Sequence, residues 1–171
     1  QMPEEINRLL TDSISDILYT TSPDANQQLL KEGIHKDKIV LAGNLMIDTL
    51  LAQKSRAEAT QFFKHFSVKH KTYILLTLHR PSNVDDPDII CPIIEEIVNI
   101  AHTTPVIFPI HPRTKLKLVE YNSYDILESC SNIHICEPLG YLEMLNLTIN
   151  ARLVLTDSGG LQEETTVLSI P

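Results

Sequence analysis

Four short apolar runs recur through the second half of this chain: TYILLTL (72–78), PVIFPI (105–110), NIHICE (132–137) and RLVLTD (152–157). Each is followed by a stretch of helical periodicity. TYILLTL is apolar almost without alternation, the pattern of a strand buried on both faces. The stretch after it, DIICPIIEEIVNIAH, sets Ile89, Ile90, Ile93, Ile94, Ile97, Val98 and Ala101 along one helical stripe. Pro92 within it either kinks that helix or marks its true start, because an interior proline removes a donor and crowds the preceding turn. RTKLKLVEYN, LGYLEMLNLTIN and GLQEETTVLS are the helices after the other three strands. Strand–helix units joined by short connections predict an α/β fold with a Rossmann-like, doubly wound parallel sheet.

The first forty residues alternate as well, with shorter strands. PEEINRLLTDSISDI carries an apolar stripe of Ile6, Leu9, Leu10, Ile14 and Ile17, and opens on Pro3 and two acids that suit the positive end of a helix dipole. DILYTTS and KIVLAGN read as strands. Between them Ser22-Pro23-Asp24 opens a helix that Gly33 closes as a C′ residue would. LMIDTLLAQKSRAEA is helical again.

Composition sets limits on function. The formal net charge is −8 and no basic tract exists, which speaks against a nucleic-acid surface, so an anionic ligand must be met by a few local cations or by backbone dipoles. No run of about 18 apolar residues is present to span a membrane, and QMPEEINRLL lacks the basic and apolar regions of a signal peptide. Cys91, Cys130 and Cys136 have neither CxxC nor zinc-ligand spacing. They read as free thiols in a reducing cytoplasm.

In a doubly wound sheet, ligands lie outside the carboxyl ends of the strands. Here the residues after each run are His79-Arg80, His111-Pro112-Arg113, Pro138-Leu139-Gly140 and Ser158-Gly159-Gly160. Two histidines, two arginines and a Gly-Gly turn thus share one edge. His35, His65, His70, His102 and His134 fall elsewhere and read as surface or incidental residues. Arg113, Lys115 and Lys117 fit a solvated helix face, with Arg113 close enough to the edge to contribute.

A strand-to-helix turn presents free N–H groups at the positive end of a helix, and glycines there let an anion approach the backbone. Ser158 can cap that helix or donate its hydroxyl. Glu163 and Glu164, one turn further on, would repel a phosphate but suit the paired hydroxyls of a ribose. Phosphate at the turn and ribose beside the acids describe a nucleotide. Taken singly, Ser-Gly-Gly is equally a tight turn and Glu-Glu equally a solvated face.

Six segments in order, PEEINR (3–8), LAGNLMID (41–48), TLHRPSN (77–83), PIHPR (109–113), EPLGYLEML (137–145) and TDSGGLQEE (156–164), resemble the non-hydrolysing UDP-N-acetylglucosamine 2-epimerases. The resemblance covers essentially the whole chain. It implies two Rossmann-like domains facing a cleft, the glycosyltransferase-B arrangement. Residues 1–40 would be the remnant of the N-terminal domain and crossover, and 41–171 an incomplete C-terminal nucleotide-binding domain. It also implies interconversion of UDP-GlcNAc and UDP-ManNAc, by elimination of UDP to 2-acetamidoglucal and re-addition. No metal or redox cofactor is implied. A UDP-sugar substrate, a homodimeric full-length protein, a cytoplasmic location and a role in cell-surface polysaccharide biosynthesis are.

Residue by residue, the resemblance implies that Ser158, Gly159 and Gly160 hold the phosphates and Glu164 the ribose. His79 would act in catalysis beside the diphosphate, with Arg80 and His111 as further substrate contacts. Glu4 would be one of the acids at the sugar. Met144 takes the place of an aromatic residue near the uracil, where backbone contacts could persist but ring stacking could not.

The chain departs from the family pattern at Arg80-Pro81-Ser82, where many relatives carry Arg-Arg-Glu or Arg-Ala-Glu. It begins at the Pro-Glu-Glu segment and ends at Ile170-Pro171. Residues 1–171 alone are therefore expected to bind UDP weakly and not to epimerise. The first segment is expected to leave its apolar face exposed or covered by a neighbour. Alternative readings are a glycosyltransferase-B sugar transferase, a hydrolysing epimerase that releases free ManNAc, and a non-catalytic sugar-nucleotide-binding protein.

Overall fold

A computed structural model describes residues 3–171, so the first two residues of QMPEEINRLL lie outside the described part. The chain divides into two compact units, one ending at Asp48 and the other Thr49–Pro171.

In the first unit, helix α1 (Pro3–Ile14) is followed by strand β1 (Leu18–Thr20), helix α2 (Pro23–Lys31) and strand β2 (Ile39–Leu41). β1 and β2 pair in parallel, Leu18 opposite Ile39, making one small βαβ unit. α2 begins as its sequence predicts: the Ser22 side chain accepts from the Ala25 amide and Pro23 occupies the first turn. Its end is equally legible, because Gly33 takes φ +90, a conformation that costs a glycine nothing. Arg8 ties α1 to the end of α2, donating to Glu5, Asp12 and Glu32 at 2.7 Å each. The apolar residues Ile6, Leu10 and Ile14 of α1 are exposed, and no α1 residue is fully buried.

Helix α3 (Leu45–Thr60) leads into the second unit, where strand β3 (Ile74–Thr77), short helix α4 (Pro81–Val84), α5 (Pro87–Ala101), β4 (Val106–Pro109), α6 (Pro112–Glu120), α7 (Tyr124–Ser129), β5 (Ile133–Cys136), α8 (Tyr141–Asn150), β6 (Leu153–Thr156) and α9 (Gly159–Leu168) follow in turn. The four strands form one parallel sheet in the order β5-β4-β3-β6. The predicted α/β class and parallel sheet are observed. α5 starts at Pro87 under an Asp86 cap, so Pro92 lies inside the helix and does not mark its start. α4, α7 and the 3-10 turn Phe62–Phe66 were not anticipated, being too short to show a period.

Burial on both faces explains the unbroken apolar runs. Ile74, Leu76, Leu78, Val106, Phe108 and Ile110 meet Ile90, Ile94 and Ile97 of α5 on one side. Tyr73, Leu75, Ile107 and Val154 meet Leu147, Ala151 and Leu161 on the other. Strand neighbours in sequence thus serve opposite layers, as the two-residue strand period requires. The buried Tyr73 hydroxyl donates to the Leu147 carbonyl at 2.6 Å. Asn146 is fully buried; its amide donates to the Ala57 carbonyl at 2.8 Å and its oxygen accepts from the Phe63 amide at 3.1 Å. One side chain on α8 therefore fixes both the α3 end and the aromatic turn. Asn146→Ala removes both bonds and is expected to cost about 2–4 kcal/mol of stability in urea unfolding. A loss under about 0.5 kcal/mol would show that the two bonds hold nothing.

Candidate active site at the switch in strand order

From β3 the chain winds outward through β4 to β5, then returns to lay β6 on the other side of β3. A crevice opens at the carboxyl ends of strands where the winding reverses, because connections leave to opposite faces of the sheet. The two strands at this reversal, β3 and β6, are held in register through Thr77 and Thr156, whose hydroxyls lie 2.7 Å apart. The residues beyond them are His79-Arg80 and Asp157-Ser158.

Asp157 organises this edge. Its Oδ2 accepts from the His79 amide at 2.9 Å, the Arg80 amide at 2.8 Å and the Asn83 side chain at 3.2 Å, while its Oδ1 lies 2.9 Å from His79 Nδ1. Burial opposes its ionisation. The Arg80 and His79 amides, the Asn83 amide and the His79 ring outweigh that cost and hold the carboxyl below its usual range. Pro81 occupies the first turn of α4, where a missing N–H is harmless, so the Arg-Pro-Ser departure is accommodated without strain.

His111 stands at the end of the neighbouring strand β4, and its ring centroid is 6.2 Å from that of His79. It caps α6, accepting at Nδ1 from the Arg113 amide at 3.2 Å. Arg80 reaches the glycine turn, with Nη2 3.7 Å from where a Cβ on Gly159 would lie. The structure thus brings His79, Arg80, His111 and Gly159 together. Arg113 does not join them: its guanidinium forks onto Asp85, which is drawn below the usual carboxylate range by that bond. Lys117 is likewise occupied, by Glu120 at 2.8 Å.

The glycine pair is not explained by backbone conformation. Among the described glycines only Gly33 and Gly43 have positive φ. Gly159 and Gly160 open α9, and a Cβ at Gly159 would meet Arg80 Nη2 at the ordinary contact distance of 3.7 Å. Ser158 caps the helix, accepting from the Leu161 amide at 3.4 Å, and the first intrahelical bond runs from the Gln162 amide to the Ser158 carbonyl. The Gly159 and Gly160 amides precede it, at the positive end of the dipole. What glycine leaves out at 159 is a side chain facing the Arg80 guanidinium.

Glu164 lies one turn along α9, half-buried. Burial pushes its carboxyl above the usual range, and a hydrogen bond from Tyr141 partly offsets that. Met144 sits on α8, partly buried against the cluster of Tyr73, Leu75 and Leu147. Glu4 is exposed in the first turn of α1, in the other unit. Asp157, Asn83 and Tyr141 were not foreseen as site residues. For Asp157 a signal existed, an acid ending an apolar strand directly before the glycine turn. Asn83 and Tyr141 carry no local signal.

A family model for UDP-N-acetylglucosamine 2-epimerase matches residues 1–171. The UDP-N-acetylglucosamine 2-epimerase of Methanocaldococcus jannaschii is 46% identical over 175 residues, covering 99% of this chain and 48% of that protein. The enzyme of the same name from Methanococcus maripaludis is 44% identical over 176 residues, with 100% and 48% covered. The crystal structure of the M. jannaschii enzyme in complex with UDP-GlcNAc and UDP matches with a TM-score of 0.88, over 99% of this chain and 48% of that one. The chain spans about half the length of the curated relatives it matches. With its full length matched by the family model, and with a relative this similar, the chain belongs to the UDP-N-acetylglucosamine 2-epimerase family.

Proposed function

We propose that the full-length protein interconverts UDP-GlcNAc and UDP-ManNAc, with residues 41–171 as its nucleotide-binding domain and 1–40 as the end of the preceding one. The reading rests on one observation above all: His79, Arg80 and the Gly159 turn converge at the strand reversal, held there by Asp157. That is a site for a diphosphate. The Gly159 and Gly160 amides and the Arg80 guanidinium would stabilise the negative charge that grows on UDP as the C1–O bond breaks. Glu164 would accept from the ribose hydroxyls, and the α8 backbone near Met144 would meet the uracil.

The chemistry is redox-neutral. A base removes the C2 proton while the C1–O electrons leave with UDP, giving 2-acetamidoglucal. UDP then re-adds at C1 as a proton arrives at C2 on the opposite face. C2–H is weakly acidic, so the base must be positioned, and Glu4 is this chain's candidate among the acids at the sugar. Three free thiols, Cys91, Cys130 and Cys136, suit a reducing cytoplasm. Among the described residues no helix is long and apolar enough to cross a membrane. The homodimer and the role in cell-surface polysaccharide supply rest on the family resemblance.

Full-length protein given UDP-GlcNAc in deuterated water should yield UDP-ManNAc carrying deuterium at C2. Free ManNAc would indicate the hydrolysing reaction, sugar transfer without C2 exchange a transferase, and no product with tight UDP binding a non-catalytic binder; each would overturn the proposal. Gly159→Ala should stabilise the fold, by up to about 1 kcal/mol, yet weaken UDP binding about tenfold or more, a loss of about 1.4 kcal/mol. A thermal melt and calorimetry read the two effects separately, and unchanged affinity would refute the phosphate role of the turn.

Glu164 provides a pH test. Its folded-state pKa is raised by burial, so its contribution to stability is full below the unfolded carboxyl range and is lost as pH rises through the raised value. Glu164→Gln should therefore be at least as stable as the parent at neutral pH, with the difference vanishing in acid. The same change should weaken UDP about 10- to 100-fold, the worth of charge-assisted bonds to a diol. Wild-type affinity should fall as acid protonates the carboxyl, and a variant that binds UDP as well as the parent would remove Glu164 from the site.

A further inference from the structure

The two imidazoles at the site are held by opposite kinds of partner. His79 Nδ1 faces a carboxylate oxygen, Asp157 Oδ1, at 2.9 Å, and an anionic acceptor requires a proton on the nitrogen that meets it. His111 Nδ1 faces a donor, the Arg113 amide, at 3.2 Å, so that nitrogen must be bare. Asp157 is fixed from its other side by the His79 and Arg80 amides and by Asn83, with its side chain only 6% exposed. It cannot turn away from the ring without orphaning three donors.

We propose that Asp157 is a positioning residue that sets the proton on His79 Nδ1 and leaves Nε2 as the nitrogen open to substrate, while the α6 cap imposes the reverse arrangement on neighbouring His111. Protonation of His79 then changes Nε2 alone and keeps the bond to Asp157. Protonation of His111 at Nδ1 would break its cap, so His111 acts as a fixed Nε2–H donor. Of two rings 6.2 Å apart, one can exchange a proton with a bound diphosphate and the other can only donate a hydrogen bond to it. The ring arrangement stands independently of the reaction; its consequence for turnover rests on the epimerase reading.

A near-isosteric substitution tests this. In Asp157→Asn the amide oxygen can take the place of Oδ2, retaining the His79 and Arg80 amides at 2.9 and 2.8 Å, while the longer 3.2 Å contact of the His79 amide to Oδ1 is given up and the NH₂ group faces His79 Nδ1. An N–H there forces the proton to Nε2, the wrong tautomer. Nitrogen NMR of ¹⁵N-histidine-labelled full-length protein in alkaline buffer should show His79 protonated at Nδ1 and His111 at Nε2. Asp157→Asn should move the His79 proton to Nε2 and leave His111 unchanged. It should lower kcat about 100-fold or more, as loss of an orienting carboxylate does elsewhere, with KM and UDP affinity within about threefold.

Wild-type His79 protonated at Nε2 would overturn the proposal. So would a variant that flips the tautomer with kcat intact, or one whose whole loss lies in KM. If the variant fails to fold, the wild-type nitrogen resonances decide alone. Full-length protein that neither binds UDP nor turns over UDP-GlcNAc would sink the functional reading and leave the ring assignment standing.

Discussion

A single carboxylate joins the two strand ends between which the site lies. Asp157 follows β6, and everything it holds follows β3: two successive backbone amides, the His79 ring and the Asn83 side chain. Hydrogen bonds to an ionised acceptor are roughly twice as strong as neutral ones, and four donors on one buried group leave it little freedom. The loop that carries His79 and Arg80 is therefore positioned from across the sheet rather than by its own short helix. Remove that acceptor and the loop loses both its anchor and the orientation of its imidazole.

The sheet makes this possible. Because the winding reverses at β3, β6 lies directly beside it, and residues 77 and 156 face each other through their hydroxyls. The glycine turn then falls at the head of α9, where a Cβ on Gly159 would come within ordinary contact distance of Arg80. A helix that begins with two glycines gives up intrinsic helix propensity, and their φ angles do not call for glycine. Burial of its own Leu161 and Thr165 compensates along the inner face. Helix propensity is thus given up at amides that have no partner within the helix, which is intelligible where an anion must approach the main chain.

Much of this was legible along the chain. The four strands are found two residues or fewer inside the apolar runs that predicted them, most cleanly for central β3 and β4, where burial on both faces leaves no polar interruption to blur the pattern. Ser22, Pro23 and Gly33 mark helix ends by conformational preference alone, and α2 obeys them. The strand-end histidines could be listed because carboxyl ends of parallel strands share an edge whatever the strand order. Short elements such as α4 and α7 escaped, since four to six residues cannot display a helical period. Arg113 lies in the first turn of the helix after β4, yet Asp85, 28 residues earlier, occupies it.

Sequence by itself determined the class of fold, the positions of the turns and the kinds of group gathered at one edge, since these follow from hydrophobic period and backbone preference within a few residues. Tertiary structure alone decided the strand order and, with it, the partners. Asp157 meets His79 across 78 positions, a pairing that no local rule encodes because it exists only once β6 has closed against β3. The proton arrangement of the two imidazoles follows from that closure, for it depends on whether each ring nitrogen meets an oxygen or an N–H.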